Sequence, residues 1–595
     1  MNIGQSVIWI AFFASLGAAF TFFRQGKNNG VHGNNVSPRK VKLPSTLFAA
    51  GLAAGLLASI LLVDFFITHQ FQYSYVAKYS AFTQPMAYLI SAFWAGQEGT
   101  FLLWAVVTSI MGIVFLKKSG QQDGYAMSVI SMYIAFLYLL ILVKSPFETS
   151  AAVPADGSGM NPLLEDPWMV IHPPILFIGY AATIFPFALV ISGLLRRNYD
   201  HWIAVGFPWT LFAASTLGAG IIIGGFWAYE VLGWGGYWGW DPVENSSLVP
   251  WLTLLALIHG LLVQKSKGSL ARTNLFLAIM TFLFVLYATF LTRSGVLADF
   301  SVHSFVDLGI NNYLIGVMVA AAALGFGLFA IRFREIKSPK IDLLGVNREL
   351  ALVLSLVVIS AGALFTFVGM SSPILTGLFG KASQVDTSFY NKVNLPVAIC
   401  IATLLGITPF LGWVEEKKFA FVKRLSMPLA LTLLSCVIAS VAGVNTTTLM
   451  LFVGTASFGL ISNVIVAFRQ YRSGWANLGG PVAHIGVALL LIGIVGSGKF
   501  DGTKQLVLRQ GEPQDAYGHQ LRFAGIDEIP GQKPVVKIEV SDGNNTYLAT
   551  PKLYYSETNQ AMMREPDIKV YPLSDLYISP IELKTPESAH ARNAT

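Results

Sequence analysis

The chain has 595 residues, of which 54% are hydrophobic and only 12% are charged, and its net charge is +7. Soluble proteins carry about 25% charged residues, so this composition excludes an ordinary soluble enzyme and favours a membrane protein. The sequence also lacks a Gly-rich phosphate loop, a Walker motif and the zinc-type spacing of Cys and His. Nucleotide-binding and zinc-binding functions are therefore not indicated.

Apolar runs of about 20 residues, the length that crosses a bilayer as a helix, recur along most of the chain. The N-terminus has no basic segment ahead of its first apolar run, so we expect a span there and not a cleaved signal peptide. We predict fourteen spans, at residues 3–23, 45–67, 95–116, 125–143, 171–195, 207–228, 248–266, 272–292, 311–331, 349–370, 394–413, 427–443, 447–468 and 481–497.

The loops between these spans alternate in charge. Loops on one face carry 23 of the 39 Lys and Arg residues, loops on the other face carry 5, and the remaining 11 follow residue 497. The positive-inside rule makes the basic face cytoplasmic, and the N-terminus and every second loop then lie outside. The positive charge therefore reports topology and does not indicate nucleic-acid binding.

The outward loop at 227–247 contains the sequence WAYEVLGWGGYWGWDPVEN, which holds four Trp, four Gly and no Lys or Arg. Four glycines within seven residues disfavour a helix, since each costs about 1 kcal/mol relative to Ala. An interfacial belt of Trp residues is the alternative, but a belt accounts for one or two tryptophans and not for W-G-G-Y-W-G-W-D-P. We therefore predict an aromatic wall beside the membrane, in which Asp241 and Glu244 shape the loop through hydrogen bonds and do not act as acid or base.

Four of the nine histidines occupy informative positions. His172 and His303 are predicted on the outer face, one before and one after the Trp-rich loop, whereas His259 and His484 lie at similar depth in the inner half of the membrane. Two imidazoles at one depth on different helices suit a six-coordinate centre such as haem iron. The alternative for each inner histidine is a helix-to-helix hydrogen bond. Glu98, at the start of a span, is a proton relay or, as we favour, part of a hydrogen-bonded helix start.

Residues 498–595 change in character, with β-like alternation and D-G and G-N turn signals. We predict an all-α polytopic membrane protein of about 14 transmembrane helices, with a small β-rich outer (periplasmic) C-terminal domain. The expected division is a transmembrane domain at 1–497 and a periplasmic domain with a tail at 498–595. Cys400 and Cys436 lie inside apolar spans without a C-x-x-C motif, and we interpret them as small core residues.

The segment W-G-G-Y-W-G-W-D, together with the span count and the four histidines, resembles the "WWD" signature of the haem-handling proteins CcmC, CcsA and CcmF. The length and the histidine positions are similar to those of the CcmF family, the haem lyases of cytochrome c maturation. The resemblance implies that His172 and His303 are axial ligands of an incoming substrate haem, and that His259 and His484 hold a resident haem b through its iron. It also implies a haem platform formed by the aromatic wall and the acidic residue that ends it: Trp234, Tyr237, Trp238, Trp240 and Asp241.

The resemblance further implies that the vinyl groups of haem are joined to the thiols of a C-x-x-C-H motif in apocytochrome c, on the periplasmic side of the bacterial inner membrane. Implied partners are a CcmE-like haem chaperone and a CcmH-like thiol-handling subunit, with a quinol as one candidate electron donor. Family members usually end with a further span, and no sufficiently long apolar run follows residue 498 here. Alternatives are a haem exporter or carrier that forms no bonds, an NrfE-type lyase dedicated to one cytochrome, and a secondary transporter, which the outward clustering of polar residues disfavours.

Overall fold

The computed structural model consists of long helices followed by a small sheet. It describes residues 2–32, 38–119, 123–231, 235–341, 345–414, 418–472, 474–529, 533–543, 545–556, 561–572 and 574–583. The α-helices in these ranges are α1 Ile3–His32, α2 Pro38–Ile67, α3 Ser74–Tyr79, α4 Met86–Ser91, α5 Gln97–Ser119, α6 Gly124–Val143, α7 Pro167–Ala182, α8 Ile184–Arg196, α9 Trp202–Val231, α10 Pro242–Lys267, α11 Ala271–Arg293, α12 Asn311–Arg332, α13 Arg348–Met370, α14 Ser372–Gly377, α15 Thr387–Ile407, α16 Lys418–Val441, α17 Thr447–Tyr471 and α18 Gly479–Phe500.

Fourteen segments of this described part are long and apolar enough to cross a bilayer, with α7 and α8 together forming one of them. Each coincides with one of the fourteen predicted spans, although the helices extend a few residues further at most ends. The predicted all-α polytopic class is therefore confirmed. The short helices α3, α4 and α14 lie in connections between the spans.

The C-terminal region is a small antiparallel sheet with its own core. The strands are β1 Pro513–Ala516, β2 His519–Asp527, β3 Val535–Ser541, β4 Thr546–Ala549, β5 Lys552–Ser556, β6 Ala561–Glu565, β7 Asp567–Val570 and β8 Asp575–Ile578. One sheet has the order β1-β2-β3-β5-β6, with β4 also paired to β3, and β7 and β8 form a separate hairpin. Alternate residues of β3 are buried, namely Val536, Ile538 and Val540, so one face of the sheet is packed and the other is partly accessible to solvent. The predicted β-rich region is confirmed.

The described helices contribute to a large apolar core, a smaller one, and a third cluster formed by Val249, Leu291, Leu297 and Met370. The large core includes residues of α1, α2 and α5 through α13. The smaller core joins Ala402 of α15, Phe452 of α17 and Leu491 of α18. The two sets meet where α13 packs against α15. A contact between a residue of α10 and a residue of α18 therefore joins helices that belong to different cores.

Helices α7 and α9 approach each other closely because glycines line their contact. A Cβ atom on Gly179 would lie 2.6 Å from Leu217 Cα, and one on Gly220 would lie 2.8 Å from Leu176 Cα. Small residues that let two backbones approach are the usual basis of tight helix packing in membranes. This contact brings the start of α7 against the last turns of α9, next to the Trp-rich loop.

Two local expectations were wrong. Cys400 is exposed on the surface of the helical bundle and Cys436 is half-buried, so neither is a core residue. The predicted loop at 227–247 is also shorter than expected, since α9 continues to Val231 and α10 begins at Pro242. Trp227 therefore belongs to a helix, and the cluster of four glycines between residues 233 and 239 follows the end of that helix.

Candidate functional site: two histidine pairs and a tryptophan loop

The segment between α9 and α10, here called the tryptophan loop (residues 232–241), ends in a capping box. Asp241 is the N-cap of α10, where its Oδ1 accepts hydrogen bonds from the backbone N–H of Val243 at 2.7 Å and of Glu244 at 3.3 Å. Glu244 Oε2 in turn accepts from the N–H of Asp241 at 3.3 Å and of Gly239 at 3.0 Å. Pro242 occupies the first helical position, where its missing N–H costs nothing. Both carboxylates therefore hold the loop in shape.

Asp241 also holds the segment that carries His303. Ser301 Oγ donates to Asp241 Oδ1 at 2.8 Å, and the N–H of His303 donates to Ser301 Oγ at 3.1 Å. His303 Nδ1 itself lies 3.5 Å from Asp241 Oδ1. A carboxylate can only accept, so this contact places the proton of a neutral imidazole on Nδ1 and leaves the lone pair on Nε2.

The charges of this pair support each other. Burial lowers the pKa of His303, but the hydrogen bond and charge of Asp241, with the charge of Glu244, outweigh it, so the pKa lies above its usual value. Burial likewise raises the pKa of Asp241, but His303, Ser301 and the N–H of Val243 outweigh that effect, so the net pKa lies below its usual value. Asp241 is therefore an ionised carboxylate that orients His303.

His172 lies in the second turn of α7 and faces α9. Its Nδ1 is 2.8 Å from the carbonyl oxygen of Gly220, which again leaves Nε2 as the unprotonated nitrogen of a neutral ring. Gly224 provides the space for this ring, because a Cβ atom there would lie 2.6 Å from His172 Cε1. The His303 ring meets the ring of Trp227, which lies about one turn after Gly224 on α9. The structure therefore places both outer histidines against the last turns of α9, beside the tryptophan loop.

One tryptophan lies against His303, and two others contact each other within the loop. The Trp227 ring meets the His303 ring edge-on at 5.8 Å, and Trp227 Nε1 donates to the carbonyl oxygen of Leu163 at 3.0 Å. The Trp238 ring is perpendicular to that of Trp240, with centroids 6.2 Å apart. The tryptophan at position 234 lies outside the described residues.

Trp240 is held by partners that the sequence did not indicate. Its ring stacks on Tyr390 of α15, with centroids 4.9 Å apart and planes 2° apart, and its Nε1 donates to Asn391 Oδ1 at 3.1 Å. Its φ of 54° is in the left-handed region, which an aromatic residue rarely adopts. Nothing in the sequence around Tyr390 marked it, because the stack depends on α15 lying next to a loop 150 residues earlier.

Residues near the end of the chain also contact the loop and the end of α9. Tyr237 is 39% exposed, and its hydroxyl lies 3.0 Å from Ser497 Oγ of α18. Tyr229 Oη donates to Asp575 Oδ2 at 3.1 Å, and its ring lies 5.5 Å from that of Tyr577 in β8. The β7–β8 hairpin therefore sits beside the tryptophan loop.

The inner histidines are neighbours on α10 and α18. The ring centroids of His259 and His484 are 6.4 Å apart and the ring planes differ by 19°. His259 Nδ1 lies 2.7 Å from the carbonyl oxygen of Leu255, one turn earlier in α10, so its Nε2 carries the lone pair. The two imidazoles are not hydrogen-bonded to each other at this separation.

This separation fits one iron between two imidazoles. Half of 6.4 Å is about 3 Å, which a metal–nitrogen bond of about 2 Å plus the radius of an imidazole ring would span. Nearly parallel rings with Nδ1 of His259 anchored also match the usual support of ligating histidines by a backbone carbonyl. The residues present therefore fit a bis-histidine haem.

Comparison with known proteins gives a consistent result. A family model described as "Cytochrome C assembly protein" matches residues 94–297. The cytochrome c-type biogenesis protein CcmF of Pseudomonas fluorescens is 32% identical over 542 residues, which cover 86% of this chain and 81% of that protein. CcmF of Escherichia coli K12 is 31% identical over 542 residues, covering 87% and 83%.

A solved structure named "Cytochrome c Heme Lyase CcmF" shares the fold, with a TM-score of 0.77 at 23% identity, covering 97% of this chain and 92% of that one. The fold, the tryptophan loop and the relatives define a multi-pass membrane protein of cytochrome c biogenesis. Within that class, the chain belongs to the CcmF family.

Proposed function

We propose that this protein is a haem lyase that attaches haem to apocytochrome c. In each attachment a cysteine thiol of a C-x-x-C-H motif adds across a haem vinyl group. The sulfur bonds to the vinyl carbon next to the ring, the thiol hydrogen goes to the terminal carbon, and the C=C bond becomes a single bond. This addition is redox-neutral and has no leaving group, so the main contribution of the protein is to hold the two reactants in register.

The observation that carries the proposal is the geometry of His172 and His303. Each has its Nδ1 directed at a fixed acceptor, the Gly220 carbonyl oxygen or Asp241 Oδ1. In the neutral ring of each histidine the lone pair is then on Nε2, which is the atom that can ligate iron. Two such nitrogens next to an aromatic loop suit a substrate haem whose iron and ring face are both held, which fixes the edge that carries the vinyl groups.

The aromatic residues would hold the ring face of the substrate haem. Trp238 is set perpendicular to Trp240, which is itself locked by the Tyr390 stack and the Asn391 hydrogen bond. Rigid aromatic faces contribute about 0.5–1.5 kcal/mol per ring pair beyond the burial of apolar area. The carboxylates of Asp241 and Glu244 are engaged in capping and in holding His303, so we assign them structural roles and no proton transfer.

His259 and His484 would hold a resident b-type haem, which when bound supplies a one-electron couple that keeps the substrate iron reduced. The protein's part is to fix two neutral imidazoles on helices from different cores. A quinol is one chemical class of donor for that couple. The basic connection between α8 and α9 lies at the other end of these spans from His172 and Trp227. By the positive-inside rule, we therefore place attachment on the periplasmic side of a bacterial inner membrane.

Apocytochrome c is the partner that the reaction requires, because it supplies the thiols, and both thiols must be reduced when they meet the vinyl groups. Likeness to the CcmF family implies two further partners, a CcmE-like haem chaperone and a CcmH-like subunit that handles the thiols.

The test is haem attachment in cells that depend on this chain for cytochrome c maturation. His172→Ala and His303→Ala should each abolish covalently attached haem, read as haem stain that survives denaturing electrophoresis. His201→Ala is the matched control, since His201 is exposed between α8 and α9 and should tolerate the change. Wild-type attachment in either variant would contradict the proposal. Haem that accumulates on the protein but never becomes covalent, even in the wild type, would favour a haem exporter or carrier.

A further inference from the structure

Arg293 is a buried basic residue at the outer end of α11. It is one of only 5 basic residues in the predicted outer loops between spans, yet it is 3% exposed. The positive-inside rule does not account for a basic residue on this face. Removing its charge from water also costs free energy unless nearby groups interact favourably with it. A charged group in such a place calls for a functional reason.

The guanidinium group of Arg293 lies among three phenylalanine rings from three different segments. Its Cζ is 4.6 Å from the ring centroid of Phe101 in α5, 5.6 Å from that of Phe177 in α7, and 5.5 Å from that of Phe305. Such cation–π contacts are strongest when they are desolvated, and a planar guanidinium suits them better than an ammonium group.

Two of these segments carry the outer histidines. Phe177 is five residues after His172 on α7, and Phe305 is two residues after His303. Arg293 is therefore a physical link between the helix of one histidine and the loop of the other. Glu98, at the start of α5, is within electrostatic range of Arg293 and offsets its charge.

The loop that carries His303 is fixed on both sides of the histidine. On one side Ser301 donates to Asp241 at 2.8 Å. On the other side the N–H of Phe305 donates to the Thr292 carbonyl at 2.8 Å, and Gln97 Nε2 donates to the Val306 carbonyl at 2.7 Å. Arg293 contacts this second anchor directly, next to Thr292 in sequence and over the ring of Phe305.

We propose that Arg293 is a positioning residue that sets the relative placement of His172 and His303. It holds Phe177 and Phe305 on one planar cation, so that the two Nε2 atoms can act on the same iron. The inference rests on the proposed function of this pair. It assigns Arg293 no contact with haem or with the cytochrome.

The experiment is a titration of the full chain, purified in mild detergent, with ferric haem, and it follows the low-spin absorption that two axial imidazoles produce. Arg293→Lys keeps the charge but loses the planar stack, and Phe305→Leu removes the ring on the His303 side. Both should shift the added haem to a high-spin, five-coordinate spectrum and weaken its binding by about tenfold, which is the usual effect of removing a residue that orients a metal ligand. The b-type spectrum of the inner pair should not change.

Arg348→Lys is the matched control. Arg348 is half-buried and its Cζ lies 5.8 Å from the ring centroid of Trp413, away from the histidine loop, so its variant should bind the added haem as the wild type does. A wild-type spectrum in both Arg293→Lys and Phe305→Leu would overturn the inference. If Arg293→Lys is not monodisperse after purification, the spectrum of Phe305→Leu alone tests the inference. His303→Ala separates the two hypotheses. If His303→Ala keeps the low-spin spectrum, the outer pair does not ligate the added haem and the proposed function fails. If His303→Ala loses that spectrum while Arg293→Lys and Phe305→Leu keep it, only the role of Arg293 is rejected.

Discussion

The outer and inner histidine pairs are built differently. His303 is supported by a side-chain carboxylate and by a loop with an anchor on each side, and the Trp227 ring lies against it. His259 is supported by the carbonyl oxygen one turn earlier in its own helix, and its ring centroid lies 6.4 Å from that of His484. Under the proposed function the outer pair binds and releases a substrate haem, whereas the inner pair retains a haem between two helices.

The pairs nevertheless share a plan of assembly. The segment that matches the cytochrome c assembly family, residues 94–297, contains His172, His259 and the tryptophan loop. His303 and His484 both follow it. Each pair therefore combines one histidine of the shared segment with one from the later part of the chain.

The strongest way to separate the pairs is to remove the inner one. His259→Ala and His484→Ala should each eliminate the sharp reduced b-type bands of the purified protein, because a single imidazole leaves the iron five-coordinate. Absorption spectra of the oxidised and dithionite-reduced protein measure this directly. His172→Ala is the reciprocal control and should keep those bands. If either inner variant keeps the wild-type bands, the inner pair is not the ligand set.

Gly224→Ala should damage the outer pair alone. The new methyl carbon would lie 2.6 Å from His172 Cε1, so the ring must turn away from the Gly220 carbonyl. We expect about a tenfold loss of affinity for added ferric haem, by analogy with other outer-shell changes. Gly327→Ala on α12 is the control, since nothing lies within 4 Å of that position. There, the gain in helix propensity should stabilise the protein by up to about 1 kcal/mol. Equal haem affinity in both variants would contradict the role assigned to Gly224.

Asp241→Asn should weaken the outer pair without unfolding α10, because Asn is as good an N-cap as Asp. The carboxylate holds the pKa of His303 above its usual value, and only the deprotonated ring ligates iron. In the wild type, therefore, haem binding at this pair is lost as pH falls through that raised pKa. In the variant the pKa returns towards normal, so the loss should occur at lower pH, although affinity near neutral pH falls about tenfold. Haem titrations across pH measure both effects, and an unshifted pH midpoint would argue against the pairing.

The smallest expected effect lies in the sheet, away from both pairs. Burial raises the pKa of Glu565, but contacts with Lys533 and Lys552 outweigh it, so the pKa lies below its usual value. The stabilisation is present above the ordinary pKa of Glu and is lost as pH falls through the lowered value. Glu565→Gln should therefore cost about 1 kcal/mol at neutral pH and remove that pH dependence.

Hydrogen exchange of the β5 and β6 amides measures this effect, with Glu539→Gln as the control. Glu539 pairs with Arg522 at an exposed position, where an ion pair contributes little. Both haem spectra should be unchanged in either variant. Equal protection of β5 and β6 in the two variants would show that the Glu565 cluster does not stabilise the sheet.

Local patterns in the sequence determined the number of spans and marked Asp241 and Glu244 as residues that shape the tryptophan loop. Hydrophobic length, the bias of Lys and Arg between loops, and the Asp and Glu three residues apart at Asp241 and Glu244 all act over one helix turn or one span. They were readable without knowing which helices are neighbours. The candidate histidines were also recognisable, because ionisable residues are rare within such spans.

Tertiary structure alone decided which distant residues meet. The stack of Trp240 on Tyr390, the space that Gly224 leaves for His172, the burial of Arg293 and the 6.4 Å separation of His259 and His484 each join segments far apart in the chain. The exposure of Cys400 belongs to the same group, since composition does not say which face of an apolar helix packs. Hydropathy is uniform around such helices, so their neighbours are set by side-chain packing and close glycine contacts, which no local pattern encodes.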